Sequence, residues 1–373
     1  MHRAVTEWNQ YRGDERKTAR LEVGANLGRP RRRPAEHWTA DLRDPVGCPP
    51  VVGRDGVYVG TTGGDLYALD FQGRRRWVYE TDTSTTLTPG VSAEFVYCCL
   101  EDALIAIETK TGDPAWTREA TGLYTTPPTL TDGLLLVGDA EGITAIRTET
   151  SEAIWASNLE APPVGAIAVD DERVYVAVQD ESVAAMDRDS GEEVWRAPAD
   201  GVVVGGPTLA DDRAYVADEG GTVLALDAET GQTWFTYKID GAFTSSPTVL
   251  EGADTLFVAA DDDTLHVTDT TFGNRKLRGL LFSKPGLPLD DAPATDPIVV
   301  GDTVLVGDRS GGLYGVDADD PDFRWHLPLE AKIASTPAPA FEVDSFDDEP
   351  SSVRLFVGNE SGRLRCLAWD DNR

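Results

Sequence analysis

Short carboxylate clusters are the residues in this sequence best suited to chemistry. Asp65, Glu101-Asp102, Asp139 with Glu141, Asp180-Glu181, Asp218-Glu219, Asp261-Asp262-Asp263, Asp308 and Glu360 recur along the whole chain. If the fold gathers them round one axis, they form a ring of oxygen ligands that draws divalent cations, and convergent carboxylates suit Ca²⁺. Asp261, Asp262 and Asp263 are the densest cluster and the candidate metal ligands. The plainer reading is a set of solvated acidic turns. A second cluster is basic: Arg275, Lys276, Arg278 and Lys284 surround Leu280 and Phe282. Cations flanking apolar side chains suit a loop that docks a protein partner or an anionic ligand; the alternative is a long strand whose cations neutralise nearby acids. Cys98 and Cys99 are adjacent, but consecutive strand residues point to opposite sides, and a Cα spacing of ~3.8 Å is short for a disulfide. Two unrelated buried thiols are expected. The histidines, at 2, 37, 266 and 326, are too scattered for a histidine metal centre. No nucleophile–base pair can be placed.

The whole chain has 373 residues, a formal net charge of −32 and a pI near 4.3. Asp supplies 41 of the 65 acidic residues, and Lys only 6 of the 33 basic ones. Such a chain repels DNA and RNA phosphates at long range, which excludes general nucleic-acid binding. Short carboxylates in excess, with few ammonium groups, are similar to the surfaces of proteins from salt-loving archaea, where molar salt shrinks the Debye length to roughly 3 Å. With 40% apolar residues there is material for a core. No apolar run approaches the ~18 residues that a membrane-spanning helix needs. Residues 1–35 hold nine basic residues against four acidic ones. They are expected to form a disordered basic extension, able to reach an acidic partner. The lack of an apolar secretory run leads to the expectation of a cytoplasmic protein.

A repeat positions these residues. Trp38, Trp77, Trp116, Trp155, Trp195 and Trp234 are spaced 39, 39, 39, 40 and 39 residues apart, and Trp325 follows after a longer interval. Eight apolar tetrads run in phase with them, from Val57–Gly60 and Val96–Cys99 to Val304–Gly307 and Leu355–Gly358. Between these landmarks lie short runs such as Val223-Leu224-Ala225-Leu226-Asp227, broken by turns such as Glu229-Thr230-Gly231, with no helical period. A unit of about forty residues with four hairpin-linked strands, repeated radially, is a propeller blade. The expected fold is all-β: an eight-bladed β-propeller of four-stranded antiparallel blades over residues 36–373. The last unit stops before its outer strand, and His37-Trp38-Thr39-Ala40-Asp41-Leu42 stands alone near the start. That N-terminal strand is expected to complete blade eight and remove two open edges. All seven tryptophans are expected to dock between neighbouring blades. The turn after each second strand shares a face with the connection to the next blade, so the carboxylates ring that face.

The segments Ala225 to Gly231 before Trp234, Ala185-Met186-Asp187 with Ser190-Gly191 before Trp195, and Ala106-Ile107-Glu108 with Thr111-Gly112 before Trp116 resemble the tryptophan-docking repeat of PQQ-like, quinoprotein-type propellers. That family includes pyrroloquinoline quinone (PQQ) alcohol dehydrogenases and a BamB-like branch. The resemblance implies the propeller fold and leaves several functions open. The BamB-like branch implies a non-catalytic scaffold that presents rigid faces to protein partners, and this is the expected function. The dehydrogenases imply PQQ and Ca²⁺ walled by large insertions, with an Asp base beside Glu and Asn ligands. That constellation has no residue-by-residue counterpart here, so no catalytic or cofactor-binding residue is expected. Ca²⁺ at the carboxylate ring and a small ligand sensed in the central channel are the remaining alternatives. The propeller is expected to be monomeric.

Overall fold

The computed structural model describes residues 8–23, 30–81, 83–84, 86–271, 286–342 and 352–369. Its β-branched and aromatic runs pair with their sequence neighbours through short turns, giving eight four-stranded antiparallel blades. Strands within residues 51–79, 90–119, 129–158, 163–198, 208–238, 248–269 with 286–288, and 298–328 form blades one to seven. Blade eight takes three strands from residues 338–369 and its fourth, outer strand from Ala35–Asp41. Trp38 stands opposite Cys366 and Asp41 opposite Arg363, so the expected closure is present and begins at Ala35. First strands of neighbouring blades pack side by side round the hub, and blade eight meets blade one. Each seam between blades is filled by aliphatic side chains that are almost wholly buried.

The rim seams carry a repeated device. Each outer-strand indole lies on the turn between the third and fourth strands of the following blade and donates its N–H to a carbonyl there. Trp38 donates to Phe71 at 2.9 Å, Trp77 to Thr109 at 2.9 Å, Trp116 to Thr148 at 3.2 Å, Trp155 to Arg188 at 2.8 Å and Trp195 to Ala228 at 3.0 Å. Burial of the ring and satisfaction of its one donor coincide. Gly191 must be glycine here: its φ is +72°, and a Cβ would stand 2.4 Å from the Trp155 ring. Trp325 meets no continuous turn, because the third and fourth strands of blade eight come from opposite ends of the chain. Pro30 stands in, its carbonyl accepting from Trp325 at 2.9 Å, while the neighbouring Arg31 pairs with Asp302 of blade seven. Trp369 uses the same substitute turn, donating to the Arg32 carbonyl at 2.6 Å.

Trp234 does not fill the seat expected for it. Trp155 stands opposite Ala145 and Trp195 opposite Ala185, but the residue opposite Ala225 in blade five is Phe235. Phe235 is buried against Tyr215, as Trp195 is against Tyr175. Trp234 is one residue out of register and 56% exposed, with the Arg213 guanidinium 4.5 Å over its ring. Its N–H still reaches the Thr271 carbonyl of blade six at 3.2 Å. Alternation along a strand explains the outcome, since a shift of one residue turns a side chain to the other face.

The N-terminal region departs further from expectation. Residues 8–23 are not a loose extension: Trp8, Arg12, Lys17, Ala19 and Leu21 are buried, and Arg20–Leu21 adds a parallel fifth strand to blade seven. The physical reason lies at the hub. A ring of first strands leaves one row of ladder groups facing the channel, and buried backbone groups need partners.

Candidate functional site

Residues 8–23 satisfy that row blade by blade. Trp8 and Val52 of blade one exchange backbone bonds of 3.1 and 2.8 Å. The Val91 N–H of blade two donates to the Asn9 carbonyl at 2.7 Å, and the Asn9 side-chain amide returns a bond to Val91 at 3.0 Å. Gln10 imitates a strand with its side-chain amide, donating to the Leu130 carbonyl at 3.1 Å and accepting from its N–H at 3.0 Å. Val169, Leu209 and Val299, of blades four, five and seven, donate to the carbonyls of Glu15, Arg16 and Ala19 at 2.8, 2.9 and 2.8 Å. The segment enters from the face opposite the carboxylate turns, against the turns that join first and second strands. It plugs the channel.

Two cations go deepest. Arg12 is 2% exposed; its guanidinium donates to the Pro247 carbonyl of blade six at 2.6 Å, to Thr248 Oγ1 at 2.8 Å and to the Lys17 carbonyl at 3.0 Å. Its other terminal nitrogen lies 3.8 Å from Asp296 Oδ2 of blade seven. Asp296 also accepts from the Tyr11 hydroxyl at 2.5 Å and from the Ser246 N–H at 2.9 Å. Burial and the Asp296 charge raise the Tyr11 phenol well above its usual range. Lys17 is fully buried, and its ammonium donates to Gln10 Oε1 at 3.0 Å. Burial brings that ammonium down to about 7.

On the other face the carboxylate ring holds its own turns together. Asp218 accepts from the N–H groups of Thr222 and Asp200 at 2.8 and 3.1 Å. Asp308 accepts from Ser310 and Gly312 at 2.9 and 2.7 Å and from the Tyr314 hydroxyl at 2.7 Å. Asp139 accepts from the Glu141 N–H at 2.9 Å. Blade eight uses Asn359 in the same place, accepting from Ser361 and Arg363 at 3.0 and 2.9 Å. A neutral amide does the same work, so the task is acceptance of turn N–H groups.

The expected metal ligands are not brought together. Asp261 accepts from the Ala242 N–H at 2.9 Å, and Asp262 lies 3.1 Å from His266 Nε2. Asp263 has φ +59° and offers its carbonyl to the Leu289 N–H at 2.8 Å. Among the described residues no group of three or more metal-ligating side chains could hold an ion. His266 also contacts the Tyr237 hydroxyl through Nδ1 at 2.8 Å, a Tyr–His–Asp chain across blades five and six with Tyr237 and His266 buried and Asp262 exposed, which spacing alone did not announce. All four cysteines are buried free thiols, and burial pushes Cys48 up to about 12. The basic candidates Arg275, Lys276, Arg278, Leu280, Phe282 and Lys284 lie outside the described residues.

A propeller built of docked blades defines a class, and comparison with known proteins supplies the family. The family model described as outer membrane protein assembly factor BamB matches residues 31–126, 121–198 and 179–373. The chain belongs to this PQQ-like repeat family. No curated protein sequence matches it. Among solved structures, BamB from Moraxella catarrhalis is 17% identical with a TM-score of 0.71, over 90% of this chain and 100% of that one. Quinohemoprotein alcohol dehydrogenase from Comamonas testosteroni is 15% identical with a TM-score of 0.78, over 97% of this chain and 80% of that one. A europium-containing methanol dehydrogenase scores 0.75 at 13% identity, over 95% and 90% of the two chains. At such identities the likeness is one of fold.

Sequence reasoning missed the plug. The overlooked signal was composition within the basic stretch: Trp8 and Tyr11 flank Asn9 and Gln10. Disordered segments are poor in aromatic residues, and two amides beside them are suited to pairing with free ladder groups.

Proposed function

We propose that this chain is a non-catalytic propeller scaffold that binds a protein partner on the face of the carboxylate turns. The plug is the observation that carries this reading. The hub, where a cofactor or small ligand would lie along the axis, is filled from the opposite face by residues 8–23, with Arg12 and Lys17 buried inside. Ca²⁺ beside PQQ needs convergent oxygens free to ligate, and Asp139, Asp218 and Asp308 are engaged by the turns they sit in. The residues present do not fit that pair, and no reaction step is assigned to it. Family membership supports a role in assembly, as the description of the family model suggests. Leu123, 58% exposed in the connection between blades two and three, is the apolar anchor on the proposed face. The formal charge of −32 favours a basic partner surface around it. The stretch from Arg275 to Lys284 is proposed as a second contact, for an acidic patch on the same partner.

The test has two arms. PQQ and Ca²⁺ are added to the purified protein in molar salt while absorbance and melting temperature are followed. No change in either is expected, and a Ca²⁺-dependent PQQ spectrum with a raised melting point overturns the scaffold reading. In the second arm, affinity capture from the native host compares the natural chain with Leu123→Asp. Loss of a reproducible partner is expected; an unchanged set rejects the proposed face.

A further inference from the structure

The plug is attached to the blades without being part of any of them. It reaches blades one to five and blade seven through backbone groups or the Asn9 and Gln10 amides, and blade six through Arg12. The four strands of each blade keep their own ladders throughout. Removal of residues 8–23 therefore costs these hub contacts and the Arg20–Leu21 pairing with blade seven, but leaves every blade hairpin intact. Trp8 folds back on Gly13, where a Cβ would stand 2.8 Å from the ring. The Ala19 N–H closes the loop onto the Arg12 carbonyl at 3.0 Å. The segment thus has the form of a compact, self-braced peptide.

Its charge is poorly matched to its seat. Lys17 is 0% exposed, and among the described residues no carboxylate lies within ion-pair distance of its Nζ. The charged groups around it are Arg12, Asp14 and Glu15 of the segment itself. From the blades, Asp296 faces Arg12 and also accepts from the segment's own Tyr11 hydroxyl, while Asp132 and Arg188 face Glu15. A second buried cation beside Arg12 is costly, and the cost disappears when the amine is neutral.

We propose that the channel is a peptide-binding site occupied by the chain's own residues 8–23, which dock and undock as one unit and hold most tightly when the Lys17 amine is uncharged. The ligand class is a turn-forming peptide with an indole, two amides and a guanidinium in the order Trp8, Asn9, Gln10, Arg12. The undocked segment keeps the ordinary lysine proton up to about 10.5, whereas the docked amine sheds it above about 7. Between these limits undocking takes up a proton. Docking therefore tightens as pH rises, by up to about tenfold per unit, and is flat below about 7.

Native-state proteolysis of the full chain tests this. Trypsin cleavage after Arg12, Arg16 and Arg20 is followed by mass spectrometry from about pH 7.5 to about pH 9.5, each rate divided by that of a free peptide of residues 8–23. The segment is expected to be cut before any blade, and the normalised rate to fall by up to about tenfold per pH unit. Lys17→Met, of similar length and without charge, is expected to remove the slope. Cutting only at the rate of global unfolding, a flat natural protein, or an equal slope in Lys17→Met overturns the proposal. A measurement on the natural protein guards against a misfolded variant: fluorescently labelled 8–23 peptide is expected to exchange into the channel faster at the lower pH. Absence of uptake at both ends of the range overturns it too. The scaffold reading does not enter this test.

Discussion

At the rim the seams between blades are closed one at a time, six of them by a seated indole that donates to a nearby carbonyl, whereas at the hub one segment serves seven blades at once. The rim device is periodic because blades one to five present the same turn to the preceding blade, with Pro30 standing in for it at blade eight. The hub device is not, because the first strands offer their edges to a single shared space. Periodic contacts are anchored inside cooperative units, while the shared segment lies across them. Damage at the rim is therefore expected to unfold blades, and damage at the hub to loosen a plug.

Five substitutions break or sharpen that contrast. Trp195→Ala is expected to cost about 3–5 kcal/mol in thermal or denaturant unfolding, the range for emptying a buried indole site. Trp8→Ala is expected to cost less, about 2–3 kcal/mol, because its loss is capped by the docking free energy of the segment. An equal cost at both sites would mean that hub and rim unfold together. Asp302→Asn should remove about 1–2 kcal/mol at neutral pH by weakening the substitute turn at Arg31. Burial acts to raise the Asp302 carboxyl, but bonds to Arg31 and Arg324 outweigh it and hold it well below the usual carboxylate range. That stabilisation is fully present above about pH 4 and is lost as pH falls through the lowered value, so natural and variant curves should converge in strong acid. Trp234→Ala is the smallest, under about 1 kcal/mol, while Phe235→Ala one residue away should approach the rim value. A large loss at Trp234 and none at Phe235 would restore the simple tryptophan period.

The fold was legible because docking asks for one residue type in one place, blade after blade, and six blades supply it. The slip at blade five was not. Trp195 lies 39 residues before Trp234 and 40 before Phe235, and both intervals already occur between earlier indoles. Only the strand pairing, Ala225 opposite Phe235, separates them. The face of the carboxylates was legible from hairpin connectivity, but their role was not, because an aspartate that accepts turn N–H groups and one that ligates Ca²⁺ look alike in a sequence. Asn359 held the clue, occupying the equivalent turn of blade eight without a charge. The plug was illegible to any search for periods, since it occurs once and its partners are backbone groups of strands far along the chain.

Closure of blade eight by Ala35–Asp41 has a consequence for biosynthesis. Residues 8–41 leave the ribosome before any blade exists, yet the partners of the outer strand, residues 363–369, are made more than three hundred residues later. At translation rates of about 5–20 residues per second, the nascent N-terminal region waits for many seconds with Trp8, Tyr11 and Trp38 unshielded. Closure of the ring by this strand therefore cannot precede synthesis of residues 363–369.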